Sequence, residues 1–241
     1  MNQCNLLGKV NSIETMGLVD GPGIRIVVFM QGCKLRCLYC HNPETWCYES
    51  ENAMSVDELV SKVLKYKNYI SKNGGVTFSG GEPLLQIDFI FECLKRLKEE
   101  NIHTCIDTAG VGFNYEKLID LVDLFIVDVK SVDSDEYKYI TGHNIEEYHN
   151  FMKLLQDKKK KLWLRQVRVP SINDDEKSIV KLANYANSLD GVERVELLGY
   201  HTMGKDKYES LNIKYSLDGV DNLSNSKLEY LKSVLNKNLK G

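Results

Sequence analysis

Apolar residues recur along this chain with two alternating periods. Short runs rich in β-branched and aromatic residues lie at 24–30, 76–78, 103–106, 124–129, 162–169 and 192–198, and read as strands. Between them, apolar positions return at helical spacing over 55–72, 86–100, 115–121, 145–158 and 175–189, with a last such stretch at 225–238. Ser55 and Glu58 open the first as a capping box, with Leu59, Val63 and Leu64 following at helical spacing. Strand–helix alternation predicts parallel β/α units with right-handed crossovers. Six units are too few to close an eight-stranded barrel. The expected fold is therefore α/β, a partial (β/α)6 barrel of parallel strands, with a flat doubly wound sheet as the competing architecture. Residues 12–23 read as a lead-in loop and 205–216 as a mobile connection. No repeat, low-complexity tract or Pro/Ser-rich linker marks a boundary, so residues 1–241 are expected to form one domain.

The polar residues cluster where the strands end. In α/β barrels the active site lies at the C-terminal ends of the strands. Here the first run leads into Cys33, Cys37 and Cys40, and the second into Ser79-Gly-Gly-Glu82-Pro83. The third ends in Asp107-Thr108 and the fourth in Asp128-Val-Lys130; the fifth carries Arg165 and Arg168, and the sixth ends in Gly199-Tyr200-His201. Period-2 alternation puts Leu124, Ile126, Asp128 and Lys130 on one face of their strand, and Val195, Leu197, Gly199 and His201 on one face of theirs. If both faces look inward, their polar tips converge on one pocket.

Composition narrows the class. A net charge of −3 over 241 residues gives no basic surplus, so nucleic acid is not an expected partner. Hydrophobic residues at 43% and charged residues at 27% suit a water-soluble globular protein. No stretch is long and apolar enough for a bilayer, and the first residues do not read as a signal peptide, so no membrane partner is expected. The cysteine count of 7 is odd, with three of them between positions 33 and 40, which does not suit a secreted disulfide framework; a reducing cytoplasm is expected.

Those three cysteines have the spacing C-x3-C-x2-C. A structural zinc site normally takes four protein ligands, and an iron–sulfur cluster is usually held by four thiolates. Three thiolates without an obvious fourth point to a four-iron four-sulfur (4Fe-4S) cluster with one iron open to a substrate. The competing reading is a zinc knuckle completed by His41 or Cys47. Cys4, Cys47, Cys93 and Cys105 are given no ligand role. Gly32 would let the loop curl tightly, and Tyr39 could stack on a flat ligand or simply pack beside the loop. Gly80 and Gly81 permit close backbone approach, while Glu82 could stand at a helix start without any ligand. Asp107 and Asp128 on neighbouring strand ends repel unless a cation or proton intervenes. Lys130 could pair with Asp128, His201 could be an edge histidine, and Arg165 could pair with a strand-end acid. Asp20 could cap its own tight turn. The run of four lysines at 158–161 reads as a solvated helix end, with docking of an acidic electron donor as the minority reading.

At these residues the chain resembles a known family. C-x3-C-x2-C with an aromatic residue before the last cysteine is similar to the signature of the radical S-adenosylmethionine superfamily. Asp20-Gly-Pro-Gly-Ile-Arg25, Gln31-Gly32, Cys37-Leu-Tyr-Cys-His-Asn42, Ser79-Gly-Gly-Glu82, Asp107-Thr108, Asp128-Val-Lys130 and Tyr200-His201 resemble, in order, the pyruvate formate-lyase activating enzymes. The resemblance runs from about Gly8 to near the C-terminus. It implies an oxidoreductase that cleaves S-adenosylmethionine at the cluster and abstracts an α-hydrogen from a glycine of pyruvate formate-lyase. It implies Cys33, Cys37 and Cys40 as cluster ligands. It implies Tyr39, Gly80, Gly81, Glu82, Asp128, Lys130, Arg165 and His201 around the cosubstrate, with the Gly80–Glu82 stretch at the methionine amino group. It also implies Asp107, Thr108 and Asp128, with the Ile126 carbonyl, around a monovalent cation, and Asp20 on the inserted glycyl radical loop. A flavodoxin- or ferredoxin-type electron donor and a monomeric state are further expectations. Ala109 and Gly199 depart from the asparagine and proline often found there, which leaves the identity of the glycyl radical partner open. The interval from Cys40 to Gly80 holds only Cys47, which favours a single-cluster activase. An activase of another glycyl radical enzyme, and a non-catalytic iron–sulfur or zinc module, are the alternatives.

Overall fold

The computed structural model describes residues 6–49 and 52–240, so Cys4 lies outside the described residues. The strands are β1 (Leu7–Gly17), β2 (Arg25–Met30), β3 (Ala53–Ser55), β4 (Gly75–Gly80), β5 (Thr104–Thr108), β6 (Leu124–Asp128), β7 (Leu162–Arg168) and β8 (Val192–Gly199). The helices are α1 (Val56–Leu64), α2 (Lys67–Ile70), α3 (Ile87–Glu99), α4 (Glu116–Ile119), α5 (Ser134–Thr141), α6 (Glu146–Asp157), α7 (Glu176–Asn187), α8 (Lys205–Ser210) and α9 (Asn225–Asn238). The strands form one sheet in the order β3-β1-β2-β4-β5-β6-β7-β8, which does not close on itself. From β2 to β8 every pairing is parallel.

Alternation along the strands separates two faces. Ile26, Val28, Met30, Val76, Phe78, Ile106, Phe125, Val127, Leu162 and Leu164 join helix residues such as Leu94, Phe151, Leu182 and Leu231 in the main core. The other face carries a small apolar floor of Cys105, Leu124 and Ile126 with Trp163 against it. A doubly wound sheet would cover both faces with helices. Helices gathered on one face make this the partial barrel instead.

Several expected boundaries change. Residues 12–23 are not all loop: β1 runs to Gly17, antiparallel to β2 from Val10 opposite Met30 to Gly17 opposite Arg25. Two register shifts interrupt its alternation, between Val10 and Ser12 and between Glu14 and Gly17, which removes the period-2 signal. The stretch 55–72 divides into α1 and α2. The Ser55–Glu58 capping box is present. Within 205–216 the chain forms α8, whose Tyr208 is buried. The unpredicted α5 starts at an Asp133 cap and stops at Gly142 in the left-handed region (φ 72°).

The β8 face is also a correction. Leu197 is buried in the main core, and a side chain at Gly199 would meet Leu228 and Leu223. That face looks toward α9; on the opposite face Leu198 lines the pocket and Glu196 bonds Arg165, which lines it.

Candidate active site

The C-terminal rim of the sheet encloses a cavity of about 300 Å3. Cys33, Cys37, Cys40, Tyr39, Gly80, Gly81, Asp107, Thr108, Asp128, Lys130, Arg165 and Asp20 all line it. Ligand sites commonly start at this volume.

One wall is the cysteine loop, which backbone bonds hold in place. The Arg36 and Leu38 amides donate to the Thr141 and Ile140 carbonyls at the end of α5 (2.9 and 3.0 Å), and the Gly32 amide donates to the Thr45 carbonyl (2.8 Å). Tyr208 of α8 donates its hydroxyl to the Cys40 carbonyl (2.9 Å). Gln31 donates to the carbonyls of Glu44 and Cys47, and Gln86 donates to the Gln31 carbonyl, each at 2.8 Å. The unpredicted helices α5 and α8 therefore brace the loop.

The Gly80–Glu82 turn rests directly on that loop. The Gly81 amide donates to the Met30 carbonyl (2.9 Å) and the Glu82 amide to the Gly32 carbonyl (2.8 Å). Gly80 has φ 106°, and a side chain there would strike the Met30 backbone at 2.3 Å. Only glycine fits so close an approach.

Cys33, Cys37 and Cys40 are free thiols. Burial pushes the Cys33 thiol up to about 12 and the Cys37 thiol up to about 11, and raises Cys40 as well. Burial alone thus keeps them protonated, and a bound cluster must displace those protons. Among the described residues, no three His, Cys, Asp or Glu side chains converge as a single metal ion requires. Three separated thiols facing one cavity suit the corners of a cluster better than one zinc ion. The residues fit a 4Fe-4S group.

The opposite wall is a network of charges. Register sets Asp107 beside Ile126, Asp128 beside Arg165, and Arg165 beside Glu196. Arg165 donates through Nη1 to Asp107 Oδ2 (3.3 Å), through Nε and Nη2 to Glu196 Oε2 (both 3.2 Å), and through Nη2 to the Val19 carbonyl (2.7 Å). Ser79 donates to Asp107 Oδ2 at 3.0 Å. Burial pushes the Asp107 carboxyl up to about 6; Arg165 opposes this, and Asp128 and Asp20 add to it. Burial works against the Arg165 guanidinium, but Asp107, Asp128, Glu196 and Asp20 raise its pKa. Lys130 donates to Asp128 at 2.7 Å. Burial disfavours its ammonium too, yet Asp128 and its neighbours keep the pKa well above that of an ordinary lysine. Lys130 Nζ also lies 5.5 Å from the centre of the Tyr39 ring.

Glu82 and His201 are turned elsewhere, and Thr108, which lines the cavity, is bonded to Glu82. Glu82 is fully buried and does not line the cavity; it accepts from Thr108 Oγ1, the Leu84 amide (3.0 Å) and the Ala109 amide (2.9 Å). Burial pushes its carboxyl up to about 7. The Thr108 hydroxyl, donating to Glu82 and accepting from the Gly110 amide, is committed inside the protein. Its donor and one of its two lone pairs are used there, so a cation could take only the remaining lone pair. His201 stands behind the cavity: His41 lines it, the two rings lie 4.1 Å apart, and His41 Nε2 is 3.1 Å from the His201 carbonyl. Glu196 and Ser79 were the polar residues missed. The signal for Glu196 lay in the alternation of β8 read in the opposite phase.

The half-open barrel mouth faces three cysteines whose spacing resembles the signature of the radical S-adenosylmethionine superfamily. The pattern of the Radical SAM superfamily matches residues 27–183, and the chain belongs to that superfamily. The chain is 49% identical to the pyruvate formate-lyase-activating enzyme of Clostridium pasteurianum over 236 residues, covering 95% of this chain and 99% of that protein. It is 44% identical to the enzyme of the same name from Staphylococcus epidermidis over 226 residues, 90% of each chain. It belongs to the pyruvate formate-lyase-activating enzyme family, oxidoreductases that use a 4Fe-4S cluster and S-adenosylmethionine. Among solved structures, Streptococcus suis SuiB bound to its precursor peptide SuiA superposes with a TM-score of 0.67 at 16% identity, over 85% of this chain and 43% of that one. A domain of the pyruvate formate-lyase-activating enzyme of Bacteroides vulgatus gives 0.55 at 24%, over 70% and 99%. These two likenesses speak to the fold alone. Among the described residues no helix is long and apolar enough to cross a membrane.

Proposed function

We propose that this chain, acting as one radical SAM domain, installs the glycyl radical of pyruvate formate-lyase. The observation that carries the reading is the meeting, in one cavity, of Cys33, Cys37 and Cys40 with Gly80, Gly81, Asp128 and Lys130. When bound and reduced, the cluster would supply the electron for reductive cleavage of S-adenosylmethionine, the chemistry that would remove the glycine α-hydrogen.

Cys33, Cys37 and Cys40 would hold the cluster as thiolates on the cavity wall. The backbone of Gly80 and Gly81 receives the methionine ammonium, and Lys130, kept cationic by Asp128, faces the carboxylate. Tyr39 offers its face to adenine, while His201 holds His41 at the cavity edge near the ribose. Glu82 acts from behind, tying the Gly80–Gly81 turn to Thr108 and Ala109. Asp107 and Asp128 offer oxygen to a monovalent cation, with Arg165 as the resident counter-ion. Asp20 receives backbone N–H groups of the glycine-bearing loop. We place the protein in the cytoplasm as a monomer, reduced by a flavodoxin- or ferredoxin-type donor.

The test is anaerobic reconstitution, reduction and mixing with pyruvate formate-lyase and S-adenosylmethionine. Electron paramagnetic resonance should show a glycyl radical on the partner. A signal only with a different glycyl radical enzyme would reassign the partner; zinc uptake without iron would remove the enzymatic reading.

A further inference from the structure

The loop that carries Asp20 is pinned from beneath the cavity by groups that take no part in the chemistry above. Arg25 stands at the start of β2 and is fully buried. Its Nε donates to Thr77 Oγ1 (2.6 Å), its Nη1 to the Pro22 carbonyl (3.0 Å) and its Nη2 to the Val76 carbonyl (2.6 Å). Thr77, also fully buried, passes the contact on: its hydroxyl donates to the Asp20 carbonyl at 2.6 Å. On the other side Arg165 Nη2 holds the Val19 carbonyl at 2.7 Å. The carbonyls of Val19, Asp20 and Pro22 are thus each taken by a side chain from a different part of the sheet.

The glycines of the loop make this geometry exacting. Gly21 has φ 123°, and a side chain there would press on Arg25 and Cys105 at 3.0 to 3.2 Å. Gly23 has φ 70°, and a side chain would strike the Asn73 carbonyl at 1.7 Å. The backbone of the loop is fixed by close contact as well as by hydrogen bonds. The Asp20 carboxylate itself faces the cavity, and burial raises its pKa against the pull of Arg165 and Arg25.

We propose that Thr77 and Arg25 are positioning residues that fix the Asp20 carboxylate where the glycine-bearing peptide must dock. The proposal rests on the reading of Asp20 as the peptide-binding carboxylate. The single hydroxyl of Thr77 does two things: it accepts from the buried guanidinium and donates to the Asp20 carbonyl. A group that both accepts and donates transmits the orientation of Arg25 to the loop. Neither residue lines the cavity, so neither touches cosubstrate or peptide.

The test compares Thr77→Val, which keeps the shape and removes the hydroxyl, with Thr77→Ser, which keeps the hydroxyl. Thr77→Val should raise the KM for pyruvate formate-lyase by about tenfold, since small misplacements of a binding group are costly. The kcat and the affinity for S-adenosylmethionine should stay near those of the parent protein, and Thr77→Ser should restore the KM. Arg25→Lys, which loses the planar fork, should give the same signature and serves if Thr77→Val does not accumulate. Hydrogen exchange of residues 18–24 in the cluster-free protein should quicken in Thr77→Val and remain slow in Thr77→Ser. An unchanged KM in both Thr77→Val and Arg25→Lys would overturn the proposal, as would parallel losses in KM and cosubstrate affinity. Asp20→Asn separates the two levels. If it leaves KM unchanged, the reading of Asp20 fails; if it raises KM while Thr77→Val does not, only the positioning role fails.

Discussion

On one side of the cavity Cys33, Cys37 and Cys40 sit on a loop ordered by backbone hydrogen bonds and by α5 and α8; on the other, Asp107, Asp128, Arg165 and Glu196 stand on strand ends and hold one another by charge. Among the described residues no buried cation is bonded to the thiols, which burial drives toward the neutral form. The acids have two buried cations among them: Arg165 is shared by Asp107 and Glu196, and Lys130 pairs with Asp128. The first wall is unfinished without a cluster. The second is preorganised, because its acids already hold cations, and removing Arg165 or Lys130 leaves Asp107 or Asp128 without one. The difference teaches where to expect loss of cofactor and where to expect loss of stability.

The sharpest break falls on the loop. Cys37→Ala should take the reconstituted protein from about four irons per chain, the content of one such cluster, to almost none, and abolish S-adenosylmethionine cleavage. Iron analysis and product chromatography read both. The fold should persist, since the backbone bonds of the loop are untouched.

Arg165→Met should act on the other wall and chiefly on stability. It strands Asp107, whose side chain is only 12% exposed, while Glu196 keeps its pair with Arg194. Breaking a buried pair by removing one partner costs about 3–5 kcal/mol. Denaturant unfolding of the cluster-free protein measures it; a loss below about 1 kcal/mol would mean that the network is no more than a surface ion pair.

Lys130→Met should weaken S-adenosylmethionine binding by about 2–5 kcal/mol, the range for truncating one partner of a buried charge pair. Iron content should not change. Equilibrium binding to the reconstituted, oxidised protein supplies the number.

The smallest effect is in pH dependence. Glu82 and Asp107 are raised to about 7 and about 6 in the folded chain, from ordinary values of 4.5 and 3.8. Across that window the folded state holds more protons than the unfolded one, so these two groups make stability fall as pH rises. Their stabilising contribution is fully present below the ordinary carboxyl values and is lost through about 6 to about 7. Glu82→Gln should flatten the upper part of this slope in cluster-free protein, as read by unfolding at a series of pH values.

Much of this was legible from periodicity. The six parallel strands and the long helices followed from apolar spacing, and the strand-end acids followed from placing them on a parallel sheet. What hid was local. The two register shifts of β1 broke its alternation, and α5 spans only 8 residues, too few for a clear helical stripe. The phase of β8 was ambiguous because Val195, Leu197 and Leu198 are all apolar; only the pairing of Arg165 with Glu196 shows which face meets the cavity. Glu82 illustrates a different limit. Its position beside two glycines marked the right turn, but whether its carboxylate met ligand or protein depended on Thr108 and Ala109, some 26 residues away in sequence.

On the proposed reading the two walls together deliver hydrogen abstraction from a protein glycine. Pyruvate formate-lyase carrying glycine deuterated at the α-carbon, mixed with the reduced, reconstituted protein and S-adenosylmethionine, tests it most directly by mass spectrometry of the 5′-deoxyadenosine formed. One deuterium should be transferred into the nucleoside, in step with the glycyl radical. Nucleoside formed without deuterium, while S-adenosylmethionine is consumed, would contradict it.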